Sequence, residues 1–527
     1  MAVVVLVGTT AVAVADDYEP VNPSFPDPHA FDPQLKVSPS DALADNQTVQ
    51  VTGRFLGVDT TGGVVRECTA DLARCDARTV AYTTGTNGEV NPVGSPQTPA
   101  DPPSIPVAFV VHSGFVAGTS VDCLVTACVV NAFRPDPFDP INVSHHITFA
   151  RPGRFTPLTP ARILDTRVGI GGISVPIGPA ATVQVQVTGQ GGIPASSVSA
   201  VAMNVTATQP SVESYVTLYP TGSPQPNASN LNVTPGETVP NLVVVKVGTG
   251  GKVSVFNSAG TTQLIFDVAG YYSDAGVGNA GRYQPLVPAR IVDTRFNLGG
   301  TVLGPGAHVD LQVAGVAGVP AAGAQAAVLQ VAVTNTTAFS FLTIYPTGAA
   351  LPNASNVNFN AGETVSNRTM TKLGTGGMVT IYNNSGSTDV VVDVGGWYTD
   401  ASVGGVLGTF VALPPARILD TRLGIGGISG QIPPGTTVDV QITGQGDVPT
   451  TGVRGVVLNA TVFAPDTAGY LTVYPKGVAV PNASDLNFAA GETRPNLVVV
   501  QVGTGGKVSV TNSTPTYLIF DVAGWFS

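Results

Sequence analysis

Pro160-Ala161-Arg162-Ile163-Leu164-Asp165-Thr166-Arg167 is a phrase that this chain writes three times. It returns as Pro288-Ala289-Arg290-Ile291-Val292-Asp293-Thr294-Arg295 and as Pro415-Ala416-Arg417-Ile418-Leu419-Asp420-Thr421-Arg422. Each copy closes on a second phrase: Asp267-Val268-Ala269-Gly270-Tyr271, Asp393-Val394-Gly395-Gly396-Trp397 and Asp521-Val522-Ala523-Gly524-Trp525. The copies recur at about 127 residues, too long for a solenoid unit and long enough for a whole domain. They run over about 154–274, 282–400 and 408–527, joined by short Gly/Ala/Ser linkers.

Within a copy, short Val- and Thr-rich runs alternate with Gly, Pro and Asn turns. In the first copy the strand candidates are 182–188, 201–208, 215–219, 242–247, 252–257 and 264–268. β-Branched residues suit a pleated sheet and lose rotamer freedom in a helix, so this patterning predicts an all-β chain. With about 120 residues each, the copies are expected to fold as three tandem homologous β-sandwich domains, each burying its own core.

The net charge of −11 is unevenly placed. Residues 1–150 carry 6 Lys/Arg and 16 Asp/Glu, against 17 and 18 in residues 151–527. No basic stripe is present, which argues against a nucleic-acid partner. Residues 1–15 read as a secretory signal peptide, with an apolar run and Ala13-Val14-Ala15 ahead of Asp16. That run is too short to cross a bilayer, and no later segment is long enough, so no membrane span is expected. A Pro-rich linker over 16–35 follows. Secretion, to the medium or the cell wall, is the expected location.

All four cysteines, Cys68, Cys75, Cys123 and Cys128, lie in the first 130 residues. An even count in a secreted chain argues for disulfides over metal ligation. The Cys-x6-Cys and Cys-x4-Cys spacings suit two local loops, although three pairings are open.

The same region carries a resemblance. Val37-Ser38-Pro39-Ser40, then Asp45-Asn46-Gln47-Thr48-Val49-Gln50-Val51-Thr52-Gly53, Glu67-Cys68, Cys75 and Val121-Asp122-Cys123-Leu124-Val125-Thr126-Ala127-Cys128 follow one another in order. Over residues 36–150 this is similar to the neocarzinostatin family of apoproteins. The resemblance implies an immunoglobulin-like sandwich with disulfides Cys68–Cys75 and Cys123–Cys128. It also implies an apolar cleft for a hydrophobic small molecule, lined here by Leu72, Phe109 and Phe115. The short loop Thr69–Arg74 lacks the aromatic that the family cleft has after its first cysteine. Residues 154–527 resemble, in turn, a recurrent module of secreted actinobacterial proteins, with an Ala-Arg-x-Leu-Asp-Thr-Arg opening and an Asp-Val-x-Gly-aromatic end. That module implies an accessory or surface role.

Few ionisable groups recur in every copy. Arg162, Asp165, Arg167 and Asp267, with Arg290, Asp293, Arg295 and Asp393 and with Arg417, Asp420, Arg422 and Asp521, sit among apolar neighbours. An isolated buried charge is very costly, so these residues are expected to form structural ion pairs between the first and last segments of each copy. Asp165 and Asp267 are also the carboxylates from which a calcium site or a glycosidase pair would have to be built. No Asp-x-Asp-x-Asp loop accompanies them, and three copies of one active site would be unusual. His308 is the sole histidine of the three copies, which removes a Ser–His–Asp mechanism from two of them. No catalytic residue, cofactor or metal is assigned.

The terminal aromatics, among them Tyr272, Tyr398 and Trp525, are the candidates for stacking on sugar or packing against a neighbouring domain. The expected function is that of a secreted, non-enzymatic binding or structural protein of the cell surface. Its repeats would space the N-terminal domain and contact cell-wall glycan or another surface protein. The alternatives are a carrier of a hydrophobic small molecule and a self-assembling fibre or adhesin.

Overall fold

The computed structural model describes residues 153–273, 279–403 and 408–527 with their side chains, and the strand backbone within residues 34–147. The signal peptide, the Pro-rich linker, the cysteine pairing and the side chains of Leu72, Phe109 and Phe115 lie outside the described residues. The chain divides into two compact units, 1–151 and 152–527.

In the first unit the strands Gln34–Ser38, Gln47–Arg54 and Val107–Val111 form a three-stranded antiparallel sheet. A five-stranded sheet runs through Ile141–Ile147, Cys128–Arg134, Thr61–Thr69, Val80–Thr84 and Val90–Pro92. Gly114–Ala117 and Thr119–Asp122 make a separate hairpin.

The second unit contains six four-stranded antiparallel sheets, two from each copy. The inner sheet of copy one has the order Arg154–Asp165, Gln263–Ser273, Val198–Thr208, Thr238–Lys246. Its outer sheet has the order Ala181–Gln186, Lys252–Asn257, Ser214–Pro220, Leu231–Val233. Copies two and three repeat both orders. The two sheets of a copy share a core of Val, Ile, Leu and Phe. Each outer sheet then meets the inner sheet of the preceding copy: copy two meets copy one, copy three meets copy two, and copy one meets copy three.

The six sheets therefore close into a ring, a six-bladed β-propeller of small antiparallel sheets in which every second blade reaches the axis. This corrects the expected immunoglobulin-like sandwich followed by three tandem, self-contained sandwiches. The physical reason lies in the inner strands. Along Ala200–Thr208 every residue is buried, whereas Ala181–Gln186 on the outer sheet alternates. A strand buried on both faces needs a cover on each side. One side of the inner sheet faces its own copy's outer sheet, and the other faces the neighbouring copies.

On the axis, Phe155, Tyr272, Tyr283, Tyr398, Phe410 and Phe526 form one aromatic cluster, with Ala202, Val328 and Val457 among the residues around it. Neighbouring ring centroids lie 4.3–5.1 Å apart for the pairs Tyr272–Phe410, Phe155–Tyr398, Tyr283–Phe526 and Phe155–Tyr272. The glycine of the closing phrase is what lets these rings in. A Cβ at Gly270, Gly396 or Gly524 would overlap the ring of Phe155, Tyr283 or Phe410. Backbone hydrogen bonds tie the copies at the same place. Gly153 exchanges N–H and carbonyl with Phe410 at 2.6 and 2.9 Å, and Tyr283 does so with Gly408 at 2.8 and 3.2 Å. Phe155 donates to the Gly281 carbonyl at 2.8 Å.

Candidate functional site

The repeated phrase ends the first strand of each copy. That strand carries Pro157 and Pro160 at the edge of its sheet, where a missing N–H costs no ladder bond. The register slips between Pro157 and Ala161 and again between Arg162 and Leu164. Such bulges re-aim side chains. Here Arg162 is brought directly opposite Asp267, as Arg290 is opposite Asp393 and Arg417 opposite Asp521.

Arg162 grips Asp267 with Nε and Nη2 at 2.8 and 3.0 Å, and reaches Asp165 with Nη1 at 3.1 Å. Arg167 holds the other side of Asp165 at 2.9 and 2.7 Å. The same four-residue chain recurs through Arg290, Asp393, Asp293 and Arg295, and through Arg417, Asp521, Asp420 and Arg422. Two arginines face two aspartates each time, so the assembly is neutral. Its hydrogen bonds to Arg167 and Arg295 hold Asp165 and Asp293 below the ordinary carboxylate value, against the penalty of burial. Burial pushes Asp267, Asp393 and Asp521 above it, against the pull of their arginines.

The row continues across the inner sheet. Asp267 is flanked by Asn204, Asp393 by Gln330 and Asp521 by Asn459. These rows dock onto an Asn-Ala-Ser loop of the next copy. Asn204 Nδ2 donates to the Ser355 carbonyl at 2.5 Å and Gln330 Nε2 to the Asp485 carbonyl at 2.8 Å. Asn459 Nδ2 donates to the Ser229 carbonyl at 2.5 Å. A second set of amides closes the circle: Asn367 to Asn204 at 2.7 Å, Asn241 to Asn459 at 2.8 Å and Asn496 to Gln330 at 3.2 Å. At each seam the buried amides thus find partners in the next copy.

One seam differs. Arg368 of copy two stands where copies one and three have Leu242 and Leu497, and Asp485 of copy three stands where the others have Asn230 and Asn356. The two form a buried ion pair, with side-chain exposures of 2 % and 5 %. Asp485 still accepts the Val473 N–H at 2.7 Å, the bond that Asn230 and Asn356 accept in their own copies.

A surface cavity of about 280 Å³ opens at this same seam. Arg290, Arg295 and Thr364 of copy two line one wall, and Tyr470, Asn482 and Asn487 of copy three line the other. No carboxylate lines it. Tyr470 is 47 % exposed. Arg295 spends Nε and Nη2 on Asp293 at 2.8 and 2.6 Å, which leaves Nη1 without a partner among the described residues. The surface can stack on a ring face and donate hydrogen bonds, and it offers no acid–base pair.

The terminal aromatics are placed elsewhere. Tyr272 and Tyr398 are fully buried on the axis, their hydroxyls 2.6 Å apart, and Trp525 is 7 % exposed. The axis takes up the faces of Tyr272 and Tyr398, and Trp525 is not part of the axial cluster. Asp165 and Asp267 share Arg162 and are not free to hold a cation. Among the described residues no group of three or more His, Cys, Asp or Glu is placed to hold a metal ion, and no helix is long and apolar enough to cross a membrane. Tyr470, missed by sequence reasoning, sits in mid-copy within Gly469-Tyr470-Leu471-Thr472-Val473-Tyr474-Pro475.

No known family matches the chain, and neither does any curated protein. Among solved structures, macromomycin aligns at 25 % identity over 22 % of this chain and 99 % of its own, with a TM-score of 0.17. A triple jelly roll protein from the turret of an archaeal virus aligns at 10 % identity over 70 % of this chain and 91 % of its own, with a TM-score of 0.15. Salmonella alpha-2-macroglobulin reacted with methylamine aligns at 13 % identity over 91 % of this chain and 27 % of its own, with a TM-score of 0.17.

Proposed function

We propose that this chain is a secreted, non-enzymatic binding protein of the cell surface, whose three-copy ring contacts wall glycan and holds the N-terminal domain there. The single observation that carries this reading is the seam groove: an open tyrosine face beside a guanidinium, amides and hydroxyls, with no carboxylate among them. Aromatic faces stack on the apolar faces of sugar rings, and fixed amide and guanidinium donors suit their hydroxyl oxygens. A ring built from two-sided buried sheets supplies the rigid support that such a site needs. Co-sedimentation of the full chain with purified cell walls and insoluble polysaccharides tests it. Retention that soluble wall fragments compete away is expected, and a chain that stays in the supernatant with every polymer overturns it.

For residues 36–150 the reading follows the Ser-Pro-Ser and Val-Asp-Cys-x4-Cys phrases. This part is proposed as a neocarzinostatin-like carrier of a hydrophobic small molecule, with Leu72, Phe109 and Phe115 at its cleft. Chemical-shift titration of the chain with a polycyclic aromatic probe tests that reading, and flat shifts at these residues overturn it.

A further inference from the structure

The groove between copies two and three is one of three equivalent seams, and neither of the other two has the pair of residues that opens it. Thr511 lies on its floor. At the same position copy one has Phe256 and copy two has Tyr382. Those rings pack on the partners that correspond to Tyr470. Phe256 lies 6.0 Å from Tyr215, and Tyr382 lies 6.4 Å from Phe341. With threonine there instead, Tyr470 has no ring contact among the described residues. The Thr511 hydroxyl turns to Tyr474 and Thr437, at 3.2 and 3.1 Å.

On the opposite wall it is copy three that differs, since copies one and two both have threonine, Thr208 and Thr334. Thr334 lines the groove, while its counterpart in copy three is Phe463, whose ring lies under the Arg422 guanidinium at 4.8 Å. In the seam between copies three and one, therefore, rings stand at both positions. In the seam between copies one and two a ring stands at one of them. Only between copies two and three are both positions threonine.

We infer that this seam is a single saccharide subsite, specific for an uncharged sugar ring, with Thr511 and Thr334 as its specificity-determining residues. This rests on the glycan-binding reading above. The cavity lies at the lower end of the range for small-molecule sites, which suits one or two sugar rings and not an extended chain. The charges argue for a neutral ligand. Arg290 and Arg295 are matched by Asp293 and Asp393, so the groove gains little by binding an anion. The Tyr470 face takes the ring, while Arg295 Nη1 and the Asn482 and Asn487 amides meet its oxygens.

The test is calorimetric titration of the full chain with soluble oligomers of glucose, of N-acetylglucosamine and of mannose, with a uronic acid oligomer as the acidic arm. One equivalent of a neutral oligomer is expected to bind per chain. Tyr470→Ala and Thr511→Phe should each weaken it at least tenfold. Thr511→Phe installs the ring that copy one already carries, so its melting temperature should match that of the parent. Binding that survives Thr511→Phe unchanged would overturn the subsite and leave the glycan reading standing, as would tighter binding of the uronic oligomer. Retention on cell walls with no soluble oligomer bound also overturns the subsite alone. A chain that ignores walls and oligomers alike overturns both.

Discussion

The axis and the seams are made by the same three copies, yet they have been held to different standards. On the axis all three supply an aromatic from the first strand, an aromatic from the last and a glycine that admits the ring. At the seams the copies share Asn241, Asn367 and Asn496 and the paired arginines of the repeated phrase, and they differ at the positions of Gln330, Arg368, Asp485, Arg494, Thr511 and Phe463, among others. Gln330, Arg368, Asp485 and Thr511 mark the boundary between copies two and three, while Phe463 and Arg494 mark that between copies three and one, where Arg494 pairs with Glu237 at 3.0 Å. A contact shared by three parts is constrained by all of them at once, whereas a seam is free to vary with one pair.

Four measurements would break or sharpen that contrast. The largest effect is expected at the buried ion pair. Arg368→Leu leaves Asp485 charged, buried and unpaired, and should destabilise the chain by about 3–5 kcal/mol in denaturant unfolding. The double variant Arg368→Leu with Asp485→Asn recreates the residues of the other seams. It should fall within about 1 kcal/mol of the parent or above it, because well-packed apolar replacements of buried pairs are often neutral or stabilising. A double variant as unstable as the single one would show that the seams differ by more than these two residues.

The next effect belongs to the axis and should ignore which copy is altered. Gly270→Ala, Gly396→Ala and Gly524→Ala each force a methyl group onto a buried ring, at a cost of about 1–3 kcal/mol read from the unfolding midpoint. Unequal losses among the three would mean that the axis is less symmetric than its geometry. A smaller loss, of about 1 kcal/mol, is expected for Tyr398→Phe, which removes the bond to Tyr272 and copies what Phe526 already is in copy three.

The smallest effect concerns acid. Asp293 is held below its ordinary value by Arg295. A carboxylate whose folded value is depressed contributes stability above its unfolded value, near pH ~4, and loses it as pH falls through the folded value. Arg295→Gln should therefore remove less than about 1 kcal/mol at neutral pH, since this guanidinium is 38 % exposed and solvent screens it. The same variant should flatten stability against pH below about pH 4. Arg422→Gln should cost more, because Arg422 rests on Phe463 at 4.8 Å, whereas the ring under Arg295, Phe296, lies 5.5 Å away and is exposed. Equal losses at the two positions would remove that distinction between seams.

Much of this could be read from the residues, and the limits are physical. Charges set in an apolar run demand partners, so Arg162, Asp165 and Asp267 announced a pairing before any strand was placed. The first strand of each copy was not among the strand candidates, and it tolerates Pro157 and Pro160 only through its place at a sheet edge. Ring closure was present as an unread signal. Runs such as Val201-Ala202-Met203-Asn204-Val205 lack the alternation of a one-sided sheet, and so require a cover on both faces. That oversight also left the role of the aromatics open. Of the two uses offered for Tyr272 and Tyr398, packing against a neighbouring copy is the one the axis shows, while Tyr470 passed unremarked in mid-copy. Aligning the three copies with one another would have found it, since Phe256, Tyr382 and Thr511 occupy one column.

The Arg368–Asp485 pair has a consequence for how such a ring can exist at all. In an assembly of three separate, identical subunits every substitution is written into every interface, so one arginine cannot face one aspartate at a single boundary. Joining the subunits in one polypeptide removes that symmetry and replaces their mutual dissociation by an intramolecular equilibrium, set by linker length and independent of dilution. Covalent continuity is therefore what permits each boundary to specialise on its own.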